Sequence, residues 1–190
     1  RYTPGGAPPS SYTSGSGCYG FVDMLTRYLF GHGLPTQHSN HYQFKDNYTT
    51  NYVQIGSTLT ISSGNLTESS LKNLFSQAQP GDVIQMDYTK YDGGDSLHTM
   101  MVYSVSSTGV VFYHAGSSKV YFGASSGSQP LWGTGGKTLT WSQMLGFLKK
   151  SDDGISLYRS KYAQANDTTG PSISITSTSI TTEGFFKINF

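Results

Sequence analysis

Apolar positions follow a helical spacing in the first part of the chain and an alternating one from about residue 82. Phe21, Leu25, Tyr28 and Leu29 fall at i, i+4, i+7 and i+8, with Gly31 as a stop, which predicts a helix from Cys18 to Phe30. Leu71, Leu74, Phe75 and Ala78 share one face of a second predicted helix, Thr67 to Ala78. Asn65 and Glu68 stand at capping-box spacing before it and Pro80-Gly81 ends it. Asp82 to Tyr88, Leu97 to Val105 and Val110 to Ala115 then read as strands, the last two joined by a turn at Ser106-Ser107-Thr108-Gly109. Val120 to Phe122 adds a short strand. Trp141 to Lys149 fits a third helix, with Thr140 and Gln143 as capping box and Leu139 against Met144 as hydrophobic staple. Ser151-Asp152-Asp153-Gly154 turns the chain into a last strand, Ile155 to Arg159.

The segments between carry weaker patterns. Residues 1 to 17 are rich in Pro, Gly and Ser and read as loop, and 32 to 65 as a long polar and aromatic excursion with one short strand at Tyr52 to Ile55. Helices first and an antiparallel sheet afterwards predict an α+β domain spanning residues 1–163. Residues 164–190 differ: a linker at Asn166 to Pro171 is followed by Ile173, Ile175 and Ile180, then Phe186, Ile188 and Phe190 in period two. They read as the opening strands of a second β module, Ig-like in type, because so short a segment cannot bury a core of its own; a flexible or docked tail is the competing reading.

Composition narrows the function. Twelve Lys and Arg against eleven Asp and Glu give a net charge of +1, which argues against a nucleic-acid surface, since that needs clustered cations to displace counterions. A single cysteine excludes an intrachain disulfide and a thiolate-rich zinc or iron-sulfur site. No run of about 18 apolar residues exists, so no helical membrane span is expected. Aromatic side chains, 14 Tyr, 10 Phe and 2 Trp, supply the core that the sparse aliphatics do not. The abundance of Ser, Thr, Gly and Tyr suggests an exported protein, and Arg1 to Gly6 has no signal-peptide character, so an export signal would have been removed already.

The lone cysteine then becomes the first chemical candidate. Cys18 falls in the first turn of the first helix, where unpaired backbone N–H groups and the positive end of the helix dipole favour a thiolate. Gly17 and Gly20 leave its approach open, and nearby amides could hold an oxyanion. His98, at the predicted start of a strand after Asp92-Gly93-Gly94-Asp95-Ser96, is placed to act as general base. His114, on the partner strand, is placed to orient it. Taken separately, a buried cysteine or histidine is more often structural; their order along the chain is what draws attention. If Ser107-Thr108-Gly109 were a three-residue loop, Val102 would face His114. The two histidines would then stand four residues apart on one face, roughly 13 Å, a gap that only a bulge or strong twist closes. His32, His38 and His41 lie in one loop, two of them at i and i+3, but without a carboxylate at ligand spacing they predict no metal site. Tyr42, Phe44, Tyr48 and Tyr52 either line a substrate groove or cover the sheet.

Five short stretches resemble, in order, those of NlpC-type cell-wall cysteine peptidases. They are Tyr2-x-x-Gly5-Gly6; Gly17-Cys18-Tyr19-Gly20-Phe21-Val22, like the family's Asp-Cys-Ser-Gly-Phe-Val; Pro80-Gly81-Asp82-Val83; His98-Thr99 with Val102-Tyr103; and Phe112-x-His114-Ala115. Gly17 and Tyr19 depart from the family's Asp and Ser, and the run from Gly81 through His98 is equally similar to the related CHAP and putative amidase domains. The resemblance implies a papain-like fold, with Cys18 as nucleophile, His98 as general base, His114 as orienting residue and Tyr2 as a substrate or oxyanion contact. It implies a secreted or wall-associated bacterial hydrolase, monomeric and without a cofactor, whose partner is the peptidoglycan stem peptide. An N-acetylmuramoyl-L-alanine amidase and a non-catalytic wall-binding module are the competing expectations.

Overall fold

The structure, a computed structural model, describes residues 17–89, 93–114 and 138–163. In chain order the elements are helix α1 (Gly17–Phe30), a 3-10 turn (Asp46–Thr50), strand β1 (Tyr52–Thr60), helix α2 (Glu68–Phe75), strands β2 (Val83–Thr89), β3 (Asp95–Val105), β4 (Gly109–Tyr113) and β5 (Leu139–Thr140), helix α3 (Trp141–Phe147) and strand β6 (Gly154–Ser160). The six strands form one antiparallel sheet in the order β1-β6-β2-β3-β4-β5, so the molecule is α+β, as the pattern predicts. Tyr2, the Val120 to Phe122 strand and the 164–190 module lie outside the described residues.

Local chemistry accounts for most boundaries. The α3 capping box forms as read: the Gln143 amide donates to the Thr140 hydroxyl, and the Thr140 amide donates to Gln143 Oε1 at 3.0 Å. The cap of α2 is not the Asn65–Glu68 pair. Thr67 and Ser70 form the box, the Ser70 amide donating to Thr67 Oγ1 at 3.1 Å, because Asn65 is already engaged by the turn after β1, where its Oδ1 accepts from the Thr60 amide at 2.8 Å. The helix ends at Phe75, short of the expected Ala78, with residues 76–77 in a turn. β1 runs to Thr60 instead of Ile55, since the whole length of β6 is available to pair with it.

Strand alternation sorts side chains onto two faces. Ile84, Met86, Tyr88, Met100, Val102, Phe112 and Leu157 join α2 (Leu71, Phe75) and α3 (Trp141, Met144) in one core. Val83, Met101, Tyr113 and Tyr158 join α1 (Phe21, Val22, Leu25) with Phe44 and Tyr52 in a second core across the sheet. Each large side chain removed from water in these layers contributes about 1.5–3 kcal/mol. Two polar clasps fasten the ends of the neighbouring strands β2 and β6. Arg159 grips Asp82 through Nε and Nη2, at 2.9 and 2.8 Å, and Asp82 Oδ2 also accepts from the Gln79 amide. Buried Asp153 accepts from Thr89 Oγ1 and from the Lys149 and Lys150 amides, joining the end of α3 to β2 and β6. Gly81 is a glycine of necessity, at φ +93° with the Phe30 ring 3.0 Å from where a Cβ would stand.

The β3–β4 register differs from the expectation. Val105 pairs with Val110, so four residues, 106–109, lie between the innermost pair of β3 and β4, and a bulge at Tyr103 shifts the pairing once more, to Val102 opposite Phe112 and Met101 opposite Tyr113. Continuing that register sets His114 against Met100, only two residues from His98.

Candidate active site

Cys18 is the second residue of α1, whose apolar face of Phe21, Val22 and Leu25 presses the helix onto β3. That docking brings its sulfur to the backbone of β3, where the Thr99 amide donates to Sγ at 3.4 Å and the thiol reaches Leu97 O at 3.8 Å. Strand geometry explains why those groups are available. Val102 N donates to Asp82 O and Val102 O accepts from Gly81 N, so even-numbered residues of β3 turn their backbone toward β2 and odd-numbered ones toward β4. Strand β4 pairs as far as Tyr113, opposite Met101. At the next odd positions, Thr99 and Leu97, the sulfur of Cys18 stands where a strand's backbone would.

The two histidines come together. His98 Nε2 lies 2.8 Å from His114 Nδ1, the rings are edge-on at 5.0 Å between centroids, and both residues are buried, at 0% and 2% exposure. The bulge at Tyr103 makes them diagonal neighbours on one face, within reach of each other. His98 is not at a strand start: β3 begins at Asp95, because Ser96 and Asp95 continue the ladder opposite Tyr88 and Thr89, and this pairing overrides the turn preference of the glycine-rich segment. Its ring packs with Tyr88 and that of His114 with Phe112, on the α2 and α3 face, whereas Cys18 arrives from the α1 face. Thiol and imidazole thus belong to opposite faces of β3, and the sulfur's hydrogen bonds are to the backbone on either side of His98.

Burial decides the electrostatics. It pushes the Cys18 thiol up from its ordinary value, outweighing the amides of Thr99, Tyr19 and Cys18 itself and the Thr99 hydroxyl, all of which favour the thiolate. The helix start therefore does not by itself yield the ionised sulfur expected from the sequence. Burial also pushes His98 well below the usual histidine range, assisted by repulsion from His114, and brings His114 down to about 4. At neutral pH burial favours a neutral thiol on one face of β3 and a neutral, hydrogen-bonded imidazole pair on the other.

A third group, unforeseen in the sequence, lies under the sulfur. Thr99 Oγ1 accepts from Gln85 Nε2 at 3.0 Å, and Gln37 Nε2 donates to Gln85 Oε1 at 2.6 Å and approaches Thr99 Oγ1 at 3.4 Å. The only signal was Gln85 interrupting an apolar run in what proves to be a central strand. The remaining histidines disperse: His32 binds Ser160 Oγ and Gly33 O, His38 binds Ser39 and the Asn40 amide, and His41 turns the loop at φ +59°. No cluster of three metal-ligating side chains occurs among the described residues. Phe44 and Tyr52 are core residues, and Tyr42 packs on Gly154, so these three rings cover the sheet. No described helix is long and apolar enough to cross a membrane.

No protein-family model, curated protein or solved structure matches the chain.

Proposed function

We propose that this chain is a cysteine hydrolase of papain-like arrangement, secreted or wall-associated in a bacterium, that cleaves an amide bond in the stem peptide of peptidoglycan. The observation that carries the reading is the sulfur of a helix-initial cysteine set against the strand backbone around His98, whose Nε2 is engaged by His114. In this reading His98 takes the thiol proton through Nδ1 as Sγ bonds to the substrate carbonyl carbon. The amides of Cys18 and Tyr19 receive the oxyanion, and Tyr2 is the further contact that the family resemblance implies. The carbon–nitrogen bond then breaks as His98 passes the proton to the leaving amine. Water adds to the thioester, its proton moving by way of His98 to sulfur, and the acid departs. Because thiol and imidazole both rest neutral, the proton moves during attack, as in a serine–histidine pair, and since the two rest on opposite faces of β3 this requires Nδ1 and the sulfur to come together at the strand's edge.

Cys18→Ala is expected to lower release of soluble fragments from purified peptidoglycan by at least about a thousandfold. Undiminished lysis by a folded C18A variant sinks the reading. Mass spectrometry of the fragments separates the endopeptidase from an N-acetylmuramoyl-L-alanine amidase: the endopeptidase leaves part of the stem on the sugar and the amidase releases whole stems. A second reading, a non-catalytic wall-binding module, is favoured by the sulfur's backbone contacts and its raised pKa. It predicts that parent and C18A proteins bind insoluble peptidoglycan equally and that neither releases fragments.

A further inference from the structure

The chain Gln37–Gln85–Thr99 runs from the loop after α1, through the middle of the sheet, to the sulfur of Cys18. Gln85 and Thr99 are fully buried, directly opposite each other on β2 and β3, and on the α1 face. Such an interior is costly for amides and hydroxyls unless they are paired, and these are paired with one another. The Thr99 hydroxyl receives the Gln85 amide at 3.0 Å and has the Gln37 amide at 3.4 Å. Its own proton rests on Gln85 Oε1 at 3.3 Å, an acceptor that already takes the shorter 2.6 Å bond from Gln37, and the Cys18 sulfur stands 3.4 Å from the backbone amide of the same residue.

We propose that Thr99, with Gln85 and Gln37 behind it, is the positioning residue that stabilises the ionised form of Cys18: the hydroxyl proton rests on Gln85 Oε1 while the sulfur is a thiol and turns to the sulfur when it becomes a thiolate. A charged acceptor wins that competition, since hydrogen bonds to an ion are stronger than those to a neutral carbonyl. The Thr99 amide, fixed by the strand, supplies a second donor to the same atom. The device suits a thiol that burial keeps protonated at rest, because it favours the negative charge that builds on sulfur as the proton leaves. It rests on the reading of Cys18 as nucleophile.

The test is the pH profile of Cys18 alkylation by iodoacetamide in the intact chain, without substrate. Thr99→Val keeps the shape, the β-branching and the backbone amide but removes the hydroxyl. It is expected to raise the alkylation midpoint by about one pH unit, roughly tenfold less thiolate at a fixed pH below it. Thr99→Ser is expected to restore the parent midpoint, and Gln85→Met to shift it upward by less than T99V. A change of access alone alters the plateau rate and leaves the midpoint in place. A T99V profile that superimposes on the parent's, or a T99S profile shifted as far as T99V, overturns the proposal. Should T99V fail to fold, Gln37→Met, at the half-buried end of the chain, carries the same test: an upward shift supports the device and an unchanged midpoint overturns it. The outcomes stay separate from those of the hydrolase reading. Absence of lysis by the parent protein leaves the midpoint shift standing, and an unmoved midpoint leaves any Cys18-dependent lysis standing.

Discussion

His98 and His114 share one hydrogen bond inside a layer of apolar and aromatic side chains, and the cost of that burial is visible in pH dependence. Both are held neutral below the ordinary histidine pKa of 6.5, His114 down to about 4. Between those values the unfolded chain binds protons that the folded one refuses, so stability falls as pH falls, by roughly 3 kcal/mol for His114 across the window. Thermal denaturation at steps from pH 7 to pH 4 is expected to show a falling Tm for the parent and a flatter line for His114→Gln; equal slopes would contradict the assignment. The pair itself was legible as two candidates but not as a contact, because a loop of four residues and one bulged tyrosine each move the register by a single place. Of Thr99 and the two glutamines, only Gln85 left a trace, a polar residue inside an apolar run. A polar residue in a strand pattern says nothing about partners until the layer covering it is known.

Elements were read more reliably than contacts. The helix carrying Cys18 and the cap of α3 follow from spacing that acts within one or two turns, and the structure reproduces them nearly to the residue. The cap of α2 failed because two candidate acceptors, Asn65 and Thr67, stand two apart, and the turn at Thr60 claims the first. Asp153 shows the reverse case, a turn residue whose effect reaches across elements. Its carboxylate holds the end of α3, Thr89 at the end of β2 and the entry to β6 together. Asp153→Ala leaves the buried Thr89 hydroxyl and two half-buried amides without their acceptor and is expected to cost about 2–4 kcal/mol in urea denaturation. Asp153→Asn, which retains an acceptor, is expected to cost less. A D153A protein as stable as the parent would remove the clasp from this account.

At the level of the whole molecule the sheet separates two packed layers, and the candidate site uses both: the sulfur comes with α1, and the imidazole pair faces α2 and α3. Changes in the second layer should lower stability without altering the sulfur's surroundings. Phe75→Ala, at a fully buried site against Trp141, is expected to cost about 3–5 kcal/mol while leaving the Cys18 alkylation midpoint unchanged under folding conditions. A shifted midpoint would show that the layers are coupled through the sheet. The sheet order carries one more consequence. β6 lies between β1 and β2, although nearly a hundred residues of chain separate it from β1. While the polypeptide emerges from the ribosome, β1 has no neighbour and β2 has one bare edge until residue 160 has been made. Assembly of the sheet must wait for the last of its described strands to slide into a gap between two others, a closure over a long loop that slows folding. Until that insertion the growing chain is a half-sheet with exposed edges, the kind of intermediate that aggregates most readily, and its lifetime is set by the position of one seven-residue strand.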